Sequence, residues 1–277
     1  MSRPLRIEYP NAFYHVMNRG SGRQAIYLVD DDYEMFLEAV KEACRFFGLR
    51  ILAYSLMPNH YHLLIQAPKA NLSRAMRHLN GVYTQRFNRY HKKDGPLFRG
   101  RYKAILVQED GYLIHSIRYI HLNPVQAKLT NDLSTYLWTS HKQYLKGQDQ
   151  ASWLYVRLGL AFFSGKLKTA LKAYRQFIKD GIDPKTLAFY DKKNQSPILG
   201  DPDFLDMIKE KYLLTNRKFS TEIPEERRLA GAAITEHILK ETSRVFSAPR
   251  EDLYLEKRGK EFFKPCQRHG PVDRLSW

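Results

Sequence analysis

Two apolar runs, Leu49–Met57 and His60–Gln66, meet at Pro58-Asn59. Pro-Asn has the composition of a tight turn, so the runs read as two strands of a hairpin. The first is apolar on both faces, as a strand covered above and below must be. A covered hairpin demands further layers, which limits the chain to a small set of sheet-and-helix architectures. On the second strand side chains alternate, so His60 and His62 project one way while Tyr61 and Leu63 project the other.

The flanking segments supply those layers. Residues 12–18 read as a strand, followed by the basic Gly-rich loop Arg19-Gly20-Ser21-Gly22-Arg23. Asp30-Asp31-Asp32 offers helix-capping carboxylates, and Phe36, Leu37, Val40, Ala43, Cys44 and Phe47 follow at helical spacing until Gly48. A second helix runs from Leu72 to Tyr90 and is broken by Gly95-Pro96. Leu97–Val107 reads as a fourth strand with Arg99, Arg101 and Lys103 alternating onto one face, and residues 110–123 as a third helix stopped by Pro124.

This order predicts an α+β fold, a ferredoxin-like βαββαβ sandwich with an antiparallel sheet and helices over one face. A mostly helical C-terminal extension is expected from residue 131 to 277, with segments at 153–163, 166–180, 203–213 and 225–246. This sandwich domain is expected to span 1–130.

The 277 residues carry 45 Lys+Arg against 29 Asp+Glu, a formal charge of +16. Such an excess points to a polyanionic partner, nucleic acid or an anionic surface. No apolar run reaches the ~20 residues of a transmembrane helix, and no signal-peptide segment follows Met1. Cys44 and Cys266 make neither a disulfide framework nor a cysteine zinc site. A cytoplasmic, nucleic-acid-facing protein is the economical expectation.

Two imidazoles on one strand face are half of a metal site, short of at least one protein ligand, and equally the composition of ordinary packing residues. The third helix carries two rows. Leu113, Ile117 and Ile120 form a core-facing stripe, while Tyr112, Ser116, Tyr119 and Asn123 share a second face. A phenol and a carboxamide one turn apart offer a nucleophile and an oxygen donor, or simply amphipathic packing.

Met57-Pro58-Asn59-His60-Tyr61-His62 and Arg118-Tyr119-Ile120-His121-Leu122-Asn123-Pro124 resemble the two signature segments of the single-tyrosine HUH transposases, in particular the REP-associated tyrosine transposases. Tyr14-His15-Val16-Met17-Asn18-Arg19-Gly20, Leu97-Phe98-Arg99-Gly100-Arg101-Tyr102-Lys103 and Trp138-Thr139-Ser140 extend the likeness over residues 6 to 145. The resemblance implies that His60, His62 and Asn123 hold a divalent cation, magnesium or manganese, and that Tyr119 is the nucleophile. It further implies a single-stranded DNA endonuclease and strand-transferase, acting on hairpin-forming repeats through a 5′-phosphotyrosine. Tyr112 shares the face but not the motif position.

Arg19, Arg23, Arg99, Arg101 and Lys103 are the candidate DNA contacts. A phenol of ordinary pKa near ~10 needs a base or cation beside it, for which His121, Lys103 and the metal are all open. The expected partner is single-stranded or hairpin DNA, with no membrane, no small-molecule cofactor, and monomer or homodimer undecided. Residues 225–258 resemble the opening of a replication-initiator helix-turn-helix that Pro265 and Gly270-Pro271 would cut short. Competing readings are a non-transposing hairpin-binding regulator of the same fold, and a barrel-type metal hydrolase of small molecules that leaves the charge unexplained.

Overall fold

β2 (Arg50–Met57) and β3 (His60–Ala67) form the expected hairpin, with Met57 paired to His60 across Pro58-Asn59. β1 (Ala12–Arg19) lies antiparallel to β3 on one side and to β4 (Lys103–Val107) on the other. With α1 (Asp30–Phe47) and α2 (Leu72–His91) in the connections, the order β2-β3-β1-β4 is the ferredoxin-like βαββαβ arrangement. The computed structural model describes residues 7–109, 111–149, 153–192 and 196–214. They all fall in the first of two compact units, Met1–Leu229 and Ala230–Trp277. The helical pattern at 225–246 and the segment at 225–258 lie outside the described residues.

Local chemistry sets the helix ends. The Asp32 carboxylate accepts from the Leu28 and Val29 amides at 2.7 and 3.1 Å, satisfying donors that the start of α1 leaves open. Gly48 closes α1 in the left-handed region at φ 70°, a conformation that glycine adopts without strain.

α1 and α2 cover the sheet face that Tyr61 shares with Leu63. The Tyr61 ring meets Phe36 of α1 at 4.8 Å, and its hydroxyl donates to Asn80 of α2 at 2.8 Å. α3 (Gly111–Gln126) crosses the opposite face, where His62 points, so helices lie on both faces and not on one. Its row Leu113, Ile117 and Ile120 is fully buried.

α3 does not stop at Pro124 but runs on to Gln126. The proline removes one donor and disfavours helical geometry at Asn123 without forbidding it. The Asn123 and Pro124 carbonyls still accept from Ala127 and Leu129, at 2.9 Å each.

β4 is shorter than the alternation at 97–107 suggests. Gly100 sits at φ 98°, which breaks the extended chain before Lys103. Arg99 and Arg101 therefore leave the strand and lie exposed on the loop leading into it.

The helical part contributes α4 (His141–Lys146), α5 (Val156–Ala161), α6 (Leu167–Lys179), α7 (Pro184–Asp191) and α8 (Pro202–Ile208), the last continuing as a π-helical turn. Two stretches, one on either side of α4, pair along β2. The Trp138 carbonyl and the Ser140 amide pair with Leu56 and Tyr54, and Trp153 and Tyr155 pair with Ile51, covering the outer edge of β2. The two-residue β5 (Ile198–Leu199) adds parallel to β4, pairing with Leu106 and Val107 at its end. No helix among the described residues is long and apolar enough to cross a membrane.

Candidate functional site

Register decides which side chains meet on the α3 face of the sheet. His60 is paired with Arg19 and His62 with Met17 on β1, and Met17 in turn with Lys103 on β4. Directly paired residues project to one side, so His15, Met17, Arg19, His60, His62 and Lys103 share a face.

The two imidazoles lie 5.0 Å apart between ring centroids, with planes at 82°. His60 Nδ1 is 2.7 Å from Asn59 Oδ1. His62 Nδ1 is 2.9 Å from His15 Nε2, and His15 Nδ1 is 2.8 Å from the Tyr190 hydroxyl. Each candidate ligand thus has its Nδ1 occupied, which directs any outward interaction to Nε2.

α3 sets Tyr119 over this pair. Its ring centroid is 5.9 Å from both His62 and His15. On its other side the ring stacks on Tyr190 of α7 at 3.7 Å and 13°. Asn123, one turn beyond Tyr119, lies near enough to both Tyr119 and His60 to shift their titration, downward at the phenol and upward at the imidazole. The four residues His60, His62, Tyr119 and Asn123 therefore converge, although they come from two elements separated by about sixty residues of sequence.

Electrostatics follow from burial. Desolvation holds His60 and His62 below the ordinary imidazole pKa; Asn123 opposes this at His60, whereas the neighbouring His60 and His15 reinforce it at His62. Both rings are neutral at pH 7, the state in which imidazole is a metal ligand. The Tyr119 phenol is raised, by desolvation first and by Asp191 as well, with Asn123 pulling the other way. The phenol is protonated near neutrality, so its use as a nucleophile requires a base or a cation.

Among the described residues no three His, Cys, Asp or Glu side chains converge in metal-binding fashion. A set of two imidazoles and one carboxamide is outside that pattern. It fits a divalent cation that keeps water or phosphate oxygens in its remaining positions.

The basic residues collect around His60. Arg19 lies across from it and lowers its pKa further, and the Arg23 carbonyl accepts from the Asn59 amide at 3.3 Å. The Arg99 amide donates to the Arg19 carbonyl at 2.9 Å, which joins the two loops. Arg19, Arg23 and Arg99 are exposed, as is Arg101 on the same stretch. Lys103 sits near enough to His15 to disfavour its protonation.

His121 is removed from the list of groups able to act on Tyr119. Its Nε2 is 2.7 Å from Ser140 Oγ and its Nδ1 2.8 Å from the Tyr174 hydroxyl, in a fully buried cluster. Tyr112 packs half-buried against the core, and its carbonyl accepts from Ser116 at 2.9 Å. His15, Asn59 and Tyr190 were not among the candidates. His15 has the same strand phase as Arg19, a signal that becomes legible only once the β1–β3 register is known. For Tyr190 no sequence signal exists.

The comparisons with known proteins bear on the same segment. Residues 8–123 match the family model described as "Transposase IS200 like", which takes in β1 through Asn123. Residues 8–123 thus resemble an IS200-like transposase domain. A Haemophilus influenzae protein assigned as a REP-associated tyrosine transposase is 25% identical over 137 residues, 46% of this chain and 77% of the relative. Among solved structures, a REP-associated tyrosine transposase bound to a REP hairpin is similar at 18% identity and a TM-score of 0.47, over 56% of this chain and 92% of the other. A Deinococcus radiodurans protein assigned as a transposase is similar at 20% identity and a TM-score of 0.32, over 47% and 94%. Every group of the candidate site except Tyr190 falls inside the matched segment.

Proposed function

We propose that the matched segment is a single-stranded DNA endonuclease and strand-transferase acting next to hairpin-forming repeats, with His60, His62 and Asn123 holding a divalent magnesium or manganese ion and Tyr119 as nucleophile. The observation that carries this reading is the convergence of a phenol, two neutral imidazoles and a carboxamide on one face, beside a cluster of exposed arginines.

Held by His60, His62 and Asn123, a divalent cation would supply charge neutralisation at a scissile phosphate. Tyr119 attacks the phosphorus through its phenolic oxygen as its proton leaves. The bond from phosphorus to the 3′ oxygen breaks, and that oxygen departs as a 3′ hydroxyl once protonated. The 5′ phosphate remains on tyrosine, and because one phosphodiester replaces another, a second 3′ hydroxyl reverses the step and joins new ends. The stack against Tyr190 restricts the Tyr119 ring, and the turn that links Asn59 to Arg23 places the basic loop beside His60. Arg19, Arg23, Arg99, Arg101 and Lys103 hold the strand through its phosphates, in a cytoplasmic setting where the DNA is accessible.

The test incubates the protein with an end-labelled DNA hairpin carrying single-stranded flanks and with Mn2+ or Mg2+. A covalent adduct that survives denaturation is expected, absent in Tyr119→Phe and at least 10-fold weaker in His60→Ala and Asn123→Ala. Tight hairpin binding with no adduct under either metal would instead favour a non-transposing, regulatory hairpin binder.

A further inference from the structure

The helical layer across the sheet from the candidate site has a charge pattern of its own. α2 runs for 20 residues without one Asp or Glu and carries Arg74, Arg77, Arg86 and Arg89. Its apolar row from Leu72 to Phe87 is buried, so at about 100° per residue Arg74, Arg77, Gly81, Gln85 and Arg89 fall on the outward side.

Arg86 is spent on α1, where Glu42 takes it at 2.8 Å. The other α1 carboxylates that reach α2 also have partners: Asp32 takes His91 at 2.8 Å, and Asp31 accepts from the Tyr90 hydroxyl at 3.1 Å. Arg74, Arg77 and Arg89 are exposed, and no carboxylate among the described residues forms an ion pair with them. Arg74 and Arg77, one turn apart, repel each other, and an anion from outside offsets that.

Gly81 is an independent observation. It sits in the middle of the helix, where glycine is less favourable than alanine, and a Cβ there would meet nothing within 4 Å. Packing among the described residues does not require the glycine. Close approach of a second backbone from outside does.

These groups select the occupant. Arg74 and Arg89 stand about 22 Å apart along the helix axis, the length of about six base-pair steps of a duplex. Guanidinium forks suit phosphate oxygens. Gly81, Gln85 and Asn88 between them offer no ring for unpaired bases to stack on and no apolar group to enter a membrane. The exposed Phe46 ring at the end of α1 is already engaged: the Arg45 guanidinium lies over it at 4.8 Å, and His78 meets it in a T-shaped contact at 5.5 Å.

We propose that the outward face of α2 is a second DNA-binding surface, which seats the phosphate backbone of a duplex against Gly81, between Arg74 and Arg77 at one end and Arg89 at the other. The surface lies across the sheet from the candidate site, needs no metal, and goes beyond the cleavage reading above.

The experiment uses the full chain without metal. Fluorescence anisotropy follows a labelled blunt-ended duplex and a single strand of the same length over a range of salt concentrations. Wild type is expected to bind the duplex with an affinity that falls linearly in log–log form. The triple variant Arg74→Gln, Arg77→Gln, Arg89→Gln is expected to lower that slope by about three while the single-strand slope stays at its wild-type value. Equal charge removed at α6, by Lys166→Gln, Lys168→Gln and Lys172→Gln, is expected to leave the duplex slope unchanged. Gly81→Leu is expected to raise the thermal midpoint and weaken duplex binding together, a pairing that a purely structural glycine does not give.

A wild type that binds the single strand and not the duplex overturns the proposal, whatever the variants do. Equal slope losses in the α2 and α6 variants also overturn it, because net charge would then be the cause. So does a folded Gly81→Leu protein with wild-type duplex affinity. If phosphatidylglycerol vesicles displace the duplex and the α2 triple variant no longer binds them, the surface belongs to a membrane and the proposal fails. A wild type that shows every duplex effect yet forms no tyrosine adduct upholds this surface while the cleavage reading fails.

Discussion

Burial fixes the protonation of histidines in this molecule, and that has a consequence for stability. Desolvation, helped by Lys103, pulls His15 to about 3, and desolvation pulls His141 to about 4 against the opposing pull of Asp132. In the unfolded chain both titrate near ~6.5. Below that pH the unfolded chain binds protons that the folded chain refuses, so this contribution is complete above pH ~6.5 and is lost as pH falls towards the folded values. Each such residue gives a slope of about 1.4 kcal/mol per pH unit inside its window. Thermal unfolding followed by circular dichroism should show a midpoint that is flat above pH 7 and drops from pH 6.5 to pH 4. A midpoint unchanged between pH 7 and pH 5 would contradict the burial argument. His60 and His62 were legible because a strand has period 2. His15, their partner, lies in another strand, and no period links them.

At the scale of elements, α7 is the piece that completes the site, and α3 holds it there. Asp183 caps α7 through the Thr186 amide at 2.9 Å. The same carboxylate takes Arg118 at 3.0 Å and His115 at 2.8 Å, both from α3. Burial alone would raise the Asp183 carboxyl, but hydrogen bonds from Thr186 and His115 outweigh it and hold it below the usual range. Arg118 is itself buried, with its guanidinium 3.7 Å over the Phe177 ring. Two turns past the cap, Tyr190 arrives on Tyr119. Asp183→Ala removes a cap and leaves a buried cation short of its partner, at an expected cost on the order of 2–3 kcal/mol in urea unfolding. The same variant should release the Tyr119 stack, visible as lost ring-current shifts at Tyr119 in NMR spectra. If those shifts persist, the anchor is elsewhere. α4 and α7, of six and eight residues, are too short for a helical stripe to repeat, which is why the sequence periodicity passes over them.

Across the whole molecule, the formal charge of +16 acquires a location. Arg19, Arg23, Arg99 and Arg101 are exposed at the end of the sheet where His60 begins β3, and the Arg19–Arg99 backbone contact holds two of their loops together. Hairpin DNA binding is expected to weaken linearly in log affinity against log salt, as counterions are released. Arg19→Ala and Arg99→Ala should each lower that slope by about one and weaken binding to every sequence alike. Fluorescence anisotropy at several salt concentrations measures this. Slopes identical to wild type would place the phosphates elsewhere on the surface. Arg99 and Arg101 show how far pattern reading reaches: alternation put them on a strand face, and the positive φ of Gly100 took them off it while leaving them beside the site.

The sequence by itself determined the βαββαβ order, the hairpin that points His60 and His62 the same way, and the helix face that Tyr119 shares with Asn123. These are local properties, set by periods of two and of about 3.6 residues and by turn chemistry. Only the tertiary structure decided that α3 crosses the histidine face of the sheet, that His121 turns away into a buried cluster, and that Tyr190 closes a chain of hydrogen bonds through His15 to His62. Contacts between residues 47 and 175 positions apart depend on strand register and helix docking, which no local pattern encodes.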